Sequence, residues 1–157
     1  MQMLKAMLFF MLFAALLPAQ NFDLRTLDGE KIHVQNLEGN LLFDRPAYRK
    51  GNLILFFFGT ACPYCKKEIP QIKAYAEAGR VEVLAAEVQM PVSDRALQRF
   101  VEKEGLRFSV LDKASGEKLA RYLLKRKVWI GGVPSYIWVD KYGNLESMDL
   151  EELSRFR

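Results

Sequence analysis

The only two cysteines of this 157-residue chain stand as Cys62-Pro63-Tyr64-Cys65. With no third sulfur in the monomer, they can bond only to each other or to a partner. A pair at this spacing suits disulfide exchange, in which one thiolate attacks a partner disulfide and the second cysteine resolves the mixed disulfide. Other chemistries fit less well. A structural disulfide closing so small a loop constrains the unfolded chain little, so stability is a poor reason to keep it. Zinc normally takes four ligands, and beside the two thiols there is one histidine, His33. Copper(I) accepts two soft thiolates, which keeps a copper-binding module open as an alternative of a different class.

The elements around the pair must present it. Leu53 to Phe58 is an unbroken apolar run and reads as a strand buried on both faces at the middle of a sheet. Gly59-Thr60-Ala61 supplies a sharp turn, and a helical pattern follows. At 100° per residue, Ile69, Ile72 and Ala76 share a face with Cys65, while Lys66, Lys67, Lys73, Ala74 and Glu77 point away. Glu68 falls on the flank of the apolar face, towards the sheet and close to Tyr75. Pro70 falls on the outer side, where it bends the helix without ending it. A helix N-terminus favours a thiolate, so Cys62 should ionise early and be the exposed nucleophile, while Cys65, one turn further in, stays a thiol longer.

The stretch FFFGTACPYCKKEIP (56–70) resembles the active site of thioredoxin-superfamily proteins, in particular the extracytoplasmic TlpA/ResA-like thiol-disulfide oxidoreductases, including their cytochrome c maturation branch. A carboxylate three residues after the second cysteine, here Glu68, and a proline two further on, here Pro70, belong to that pattern. The similarity runs on to GGVPSYIWVDKYGNL (131–145). Ala61 stands where many relatives carry Trp, and Phe56 where cytosolic thioredoxins carry a buried Asp; the second departure favours the TlpA-like branch, with Glu68 as the buried acid. The resemblance implies an α/β thioredoxin-like fold, a central mixed sheet flanked by helices, with an added N-terminal β-hairpin. It also implies catalytic roles for Cys62, Cys65 and Glu68, and substrate-binding roles for Pro63, Tyr64, Val133 and Pro134. Pro134 should carry a cis peptide bond beside the cysteines, with Val133 offering backbone groups to substrate. Neither a cofactor nor a metal site is implied.

Taken in order, residues 1–19 are similar to a secretory signal peptide: Lys5, an apolar core from Ala6 to Leu17, then Pro18-Ala19. That apolar core is short for a membrane span, although an uncleaved segment would remain as an anchor. Residues 20–157 then form one thioredoxin-like domain, large enough for a real core. Its charge falls from +4 to +3 without Lys5, a mild excess that does not suggest nucleic acid.

Phe22 to Val34 reads as a hairpin turning at Asp28-Gly29, with His33 facing solvent. Residues 36–50 read as irregular. Val81 to Val88 is a second strand; Ser93 caps a helix that Gly105 stops. Phe108 to Leu111 is a short extended run, and Ser115 to Leu124 a helix with Leu119, Tyr122 and Leu123 inward. Lys125-Arg126-Lys127 reads as a solvated helix end, or more sharply as a docking patch for an acidic partner. Ser135 to Val139 and Leu145 to Met148 form a closing hairpin, and a short helix occupies 149–157. Strand-helix alternation implies parallel pairing across the first half.

The functional expectation is a periplasmic protein-disulfide reductase acting on protein thiols and disulfides such as those of apocytochrome c, and kept reduced by a membrane electron donor of the DsbD/CcdA type. The alternative within the same chemistry is a disulfide-forming oxidase or isomerase of DsbA/DsbC character. Pro63-Tyr64 and Val133 favour that alternative; Glu68 and the wider pattern favour the reductase.

Overall fold

Every residue of strand β4, Leu53–Phe58, is buried. No polar side chain interrupts it, so both its faces can be covered. The structure, a computed structural model, describes residues 20–156, so the segment read as a signal peptide lies outside the described residues. β4 is the middle strand of a five-stranded sheet ordered β6-β5-β4-β7-β8, where β5 is Glu82–Glu87, β6 Ser109–Val110, β7 Ser135–Val139 and β8 Leu145–Met148. The β4–β5 and β5–β6 pairs are parallel, β4–β7 and β7–β8 antiparallel, which makes the sheet mixed as expected.

Period-two alternation divides the core. Ile54, Phe56 and Phe58 meet Cys65, Ile69 and Ile72 of helix α1, Pro63–Glu77, and Leu97 of α2, Asp94–Glu104. Leu55 and Phe57 meet Leu119 and Leu123 of α3, Lys113–Lys125. Each such buried side chain contributes about 1.5–3 kcal/mol by transfer from water. The helix continues through Pro70, which is exposed.

The N-terminal region is larger than the expected hairpin. β1, Phe22–Arg25, and β2, Lys31–Leu37, pair with Leu24 opposite Ile32, and His33 lies half-exposed between buried Ile32 and Val34. β2 then turns at Glu38-Gly39 and pairs antiparallel with β3, Asn40–Phe43, making a three-stranded sheet where 36–50 was expected to be irregular. Both turn residues have positive φ, 53° and 104°, the geometry of a tight hairpin turn. Because the turn is written Glu-Gly rather than Asn-Gly or Asp-Gly, it carries no strong sequence signal. Leu41 and Phe43 close the core over the α3 face, and Pro46–Arg49 forms a 3-10 turn.

Two further boundaries differ. α3 starts at Lys113, because the capping side chain is Asp112, whose Oδ1 accepts the Ser115 N–H at 2.7 Å. The last segment is a 3-10 helix, Leu150–Arg155, held by buried Leu153 and by the Arg155 guanidinium 4.6 Å over the Trp138 ring. α2 is capped by Ser93 and ended by Gly105 at φ 62°, as expected.

Candidate active site

Cys62 occupies the N-cap of α1 and Pro63 its first turn, where the missing N–H of proline costs nothing. The Cys62 N–H donates to Gly59 O at 3.1 Å and closes the turn out of β4. Cys62 Sγ accepts the Cys65 N–H at 3.1 Å. No acidic residue lies in the first turn of α1. The positive end of the helix dipole therefore acts unopposed on Cys62 and favours its thiolate.

The cysteines are joined as a disulfide with their Cα atoms 5.3 Å apart. Cys65 is fully buried, and Cys62 is only 4% exposed, so the sulfur expected to be the exposed one is recessed in this oxidised form. Across from it, Val133 O lies 3.9 Å from Sγ. The Val133–Pro134 bond is cis. Its loop is anchored from the core: Trp129 packs edge-on against Phe57 at 4.9 Å, and Trp129 Nε1 and Ser135 Oγ both donate to Gly132 O, at 2.9 and 2.7 Å.

Glu68 is half-buried, and its Oε2 accepts a hydrogen bond from the Tyr136 hydroxyl at 2.8 Å. The helical period puts it on the flank of the apolar face near Tyr75, and the family resemblance implies a buried acid, whereas the side chain is only half-buried. Its partner instead comes from β7, because Tyr136 lies stacked on Phe56 at 5.0 Å, fixed on the sheet face that α1 covers. Burial, and then the Glu68 carboxylate, push the Tyr136 hydroxyl far above the ordinary tyrosine range. A groove of about 810 Å³ opens beside this pair, lined by Glu68, Lys127, Ile130, Pro134, Tyr136 and Asp149 among others. Tyr64 at 68% and Ile130 at 90% exposure present apolar surface around the site.

Three residues escaped sequence reasoning. In the sequence Tyr136 reads only as a strand residue, and strand alternation by itself does not say which face it takes. Ile130 ends the short apolar run Val128-Trp129-Ile130 after the basic turn, and nothing in that run marks it as the exposed member. Glu87 is the buried acid of the described residues, at 1% exposure. Its signal was an acid inside the apolar run Val83 to Val88. His33 stays outside the site, paired with Asp23 at 2.7 Å. Among the described residues, no group of three or more His, Cys, Asp or Glu side chains could hold a metal ion, so a copper reading rests on the two sulfurs alone.

A Cys-X-X-Cys pair at the start of a helix, fed by the central strand of a mixed sheet and faced by a cis-proline loop, defines the thioredoxin-fold class of dithiol proteins. Within that class the chain belongs to the AhpC/TSA family, whose model matches residues 17–148. It is similar to the thiol-disulfide oxidoreductase ResA of Halalkalibacterium halodurans, 38% identical over 100 residues, covering 60% of this chain and 49% of that protein. The chain thus spans about half the length of that relative. It is also similar to ResA of Bacillus thuringiensis, 30% identical over 142 residues, covering 87% of this chain and 70% of the relative. Among solved structures, a secreted disulfide oxidoreductase of Mycobacterium tuberculosis, described as homologous to Escherichia coli DsbE, superposes with a TM-score of 0.58 at 25% identity, covering 85% of this chain and 92% of that one.

Proposed function

We propose that this protein is an extracytoplasmic protein-disulfide reductase whose substrates include the oxidised Cys-X-X-Cys-His motif of apocytochrome c. The observation that carries the reading is the pairing of a recessed Cys62, at a helix N-terminus beside the Val133 carbonyl, with a fully buried Cys65 and a half-buried Glu68 one turn on. In the reduced protein the Cys62 thiolate attacks one sulfur of the substrate disulfide, and the other leaves as a thiolate that takes up a proton. Cys65 then loses its proton to Glu68, directly or through a water, and attacks Cys62 Sγ. The Cys62–Cys65 disulfide forms, the second substrate thiol is released, and two electrons have passed to the substrate. A membrane dithiol donor of the DsbD/CcdA type returns the electrons. Pro63, Tyr64, Val133 and Pro134 form the surface on which the substrate strand lies. The signal-like residues 1–19 support export to the periplasm, a compartment in which disulfides persist.

Cys-Pro-Tyr-Cys and Val133 support a second reading, a disulfide-forming oxidase. Equilibrium titration of the Cys62–Cys65 pair against glutathione, with metal excluded, separates the two. A potential well below the glutathione couple is expected of a reductase; one well above it would replace the proposal with the oxidase. Copper retained by both thiolates with no exchange activity would replace both.

A further inference from the structure

Glu87, the last residue of β5, is a buried ionisable group that the exchange mechanism above does not use. Its register partner is Phe58, the residue before the Gly59–Cys62 turn, and Val88 N donates to Phe58 O at 3.0 Å. Glu87 Oε1 accepts the N–H groups of Gln89 and Met90 at 2.7 and 2.9 Å, and so holds the loop that leaves β5. Oε2 has no hydrogen-bond partner. Its nearest cation is Lys113 Nζ at 3.6 Å, on a side chain 15% exposed, and the same Nζ donates to Glu87 O at 3.1 Å. Beyond Lys113 lie Glu117, 3.6 Å from Nζ, and Asp94, whose Oδ1 accepts the Lys113 N–H at 2.7 Å. Lys66 and Lys67 are the charges nearest in sequence to the cysteines on α1.

The loop that Glu87 holds walls the redox turn. A Cβ placed on Gly59 would fall 2.0 Å from Gln89 Oε1 and 2.8 Å from Gln89 Cβ, so the Gln89 side chain lies directly against the Gly59 α-carbon. Gly59 O in turn receives the Cys62 N–H. A continuous line of contacts therefore joins Glu87, Gln89, Gly59 and Cys62. Apolar residues often replace a buried ion pair at no loss of stability, so stability alone does not account for a buried carboxylate with one oxygen ion-paired but not hydrogen-bonded.

We propose that the Glu87–Lys113 pair is a positioning device for the nucleophile, setting the reactivity of Cys62 through the Gln89–Gly59 wall and through the balance of its two opposite charges. The inference rests on the exchange chemistry proposed above. Glu87→Gln removes the buried negative charge and leaves Lys113 with only the more exposed Glu117 carboxylate as its ion partner, which favours the Cys62 thiolate and the reduced pair. Lys113→Met leaves the carboxylate alone and acts in the opposite sense. Mere loosening of the loop would move both variants the same way.

The test uses the full chain, with two readouts: the equilibrium constant for protein disulfide plus two glutathione going to protein dithiol plus glutathione disulfide, and the pH dependence of Cys62 alkylation by iodoacetamide in the reduced protein. Circular dichroism checks that each variant is folded. Glu87→Gln should raise the constant about three- to tenfold and move alkylation to lower pH, because loss of a negative charge near the redox turn favours the thiolate. Lys113→Met should lower the constant and move alkylation to higher pH. Shifts of the same sign, or no shift in Glu87→Gln, overturn the proposal. Should Lys113→Met not fold, Lys113→Arg must reproduce the parent values, and its failure to do so also overturns it. If the parent protein does not equilibrate with glutathione at all, the exchange reading itself fails, which is a distinguishable result.

Discussion

The hydroxyl of Tyr136 donates a 2.8 Å hydrogen bond to Glu68 Oε2, tying the first helix to the strand that follows the cis proline. The tyrosine ring is itself held flat on Phe56, with centroids 5.0 Å apart and planes 4° apart, so the carboxylate is aimed by the core rather than by its own helix. An acid one turn after Cys65, with one oxygen fixed by Tyr136 and its side chain lining the groove, is suited to receive the Cys65 proton.

Removing that acid should slow exchange without unfolding the protein. In Glu68→Gln, the second-order rate with a disulfide substrate is expected to fall near neutral pH, with the secondary structure unchanged. Tyr136→Phe keeps the ring stack and loses one hydrogen bond to a charged group, worth about 1.5–3 kcal/mol. Exchange should persist there with an altered pH profile. A pH profile in Glu68→Gln that superposes on the parent would remove Glu68 from the mechanism.

The two cysteines should fail in different ways. Cys62→Ser lacks the attacking thiolate and should show no exchange. Cys65→Ser can still attack but cannot resolve, so it should accumulate mixed disulfides visible as adducts by mass spectrometry. Full turnover in either variant would mean that the roles are wrongly assigned.

Much of this site is legible in the sequence because its parts are local. The apolar run of β4, the Gly59 turn and the Cys62 cap lie within ten residues of one another, and periodicity alone placed Cys65, Ile69 and Ile72 on the covered face. What was not legible is what other chain segments bring. Periodicity on one helix cannot tell that Tyr136, far along the chain, will be the partner of Glu68. Nor does it show that Glu87 is buried at the end of β5, where Lys113 reaches it from the start of α3. The third N-terminal strand escaped for a different reason: its turn uses Glu38 at a positive φ that sequence rules assign to Asn or Gly.

Alkaline pH should expose the buried phenols. Tyr48 and Tyr136 both have their ionisation raised above the ordinary value of about 10, chiefly by burial. Above that value the unfolded chain loses protons that the folded chain keeps. The stability these groups lend is therefore complete below pH 10 and drains away as pH rises towards the folded values. Through the alkaline range, the native absorbance titration should therefore show less phenolate than the denatured chain at the same pH, and the denaturant midpoint should fall. A native titration that superposes on that of the denatured chain would contradict the burial of both rings.

Glu38 is exposed and held at φ 53° in the β2–β3 turn, a conformation that costs a residue with a Cβ about 1–2 kcal/mol. Asn tolerates that region far better. Glu38→Asn should therefore stabilise the protein by about 0.5–1 kcal/mol, read as a higher denaturant midpoint with an unchanged slope.

The opposite effect is expected at Gly143, in the β7–β8 turn. Its φ is 82°, and a Cβ there would fall 2.8 Å from Leu41 O and 2.9 Å from Leu41 C and N. All three contacts are backbone, so no side chain can swing aside. The same turn anchors the N-terminal sheet, since Leu41 N donates to Gly143 O at 2.9 Å. Gly143→Ala must therefore both adopt a strained backbone and push β3 off the core, at a combined cost of about 2–4 kcal/mol. This turn sits at the end of β7 remote from Pro134, so the glutathione equilibrium constant of the protein that remains folded should match the parent. A loss of stability accompanied by a changed constant would mean that the N-terminal sheet and the redox turn are mechanically coupled, through Phe57 and the Trp129 loop that packs against it.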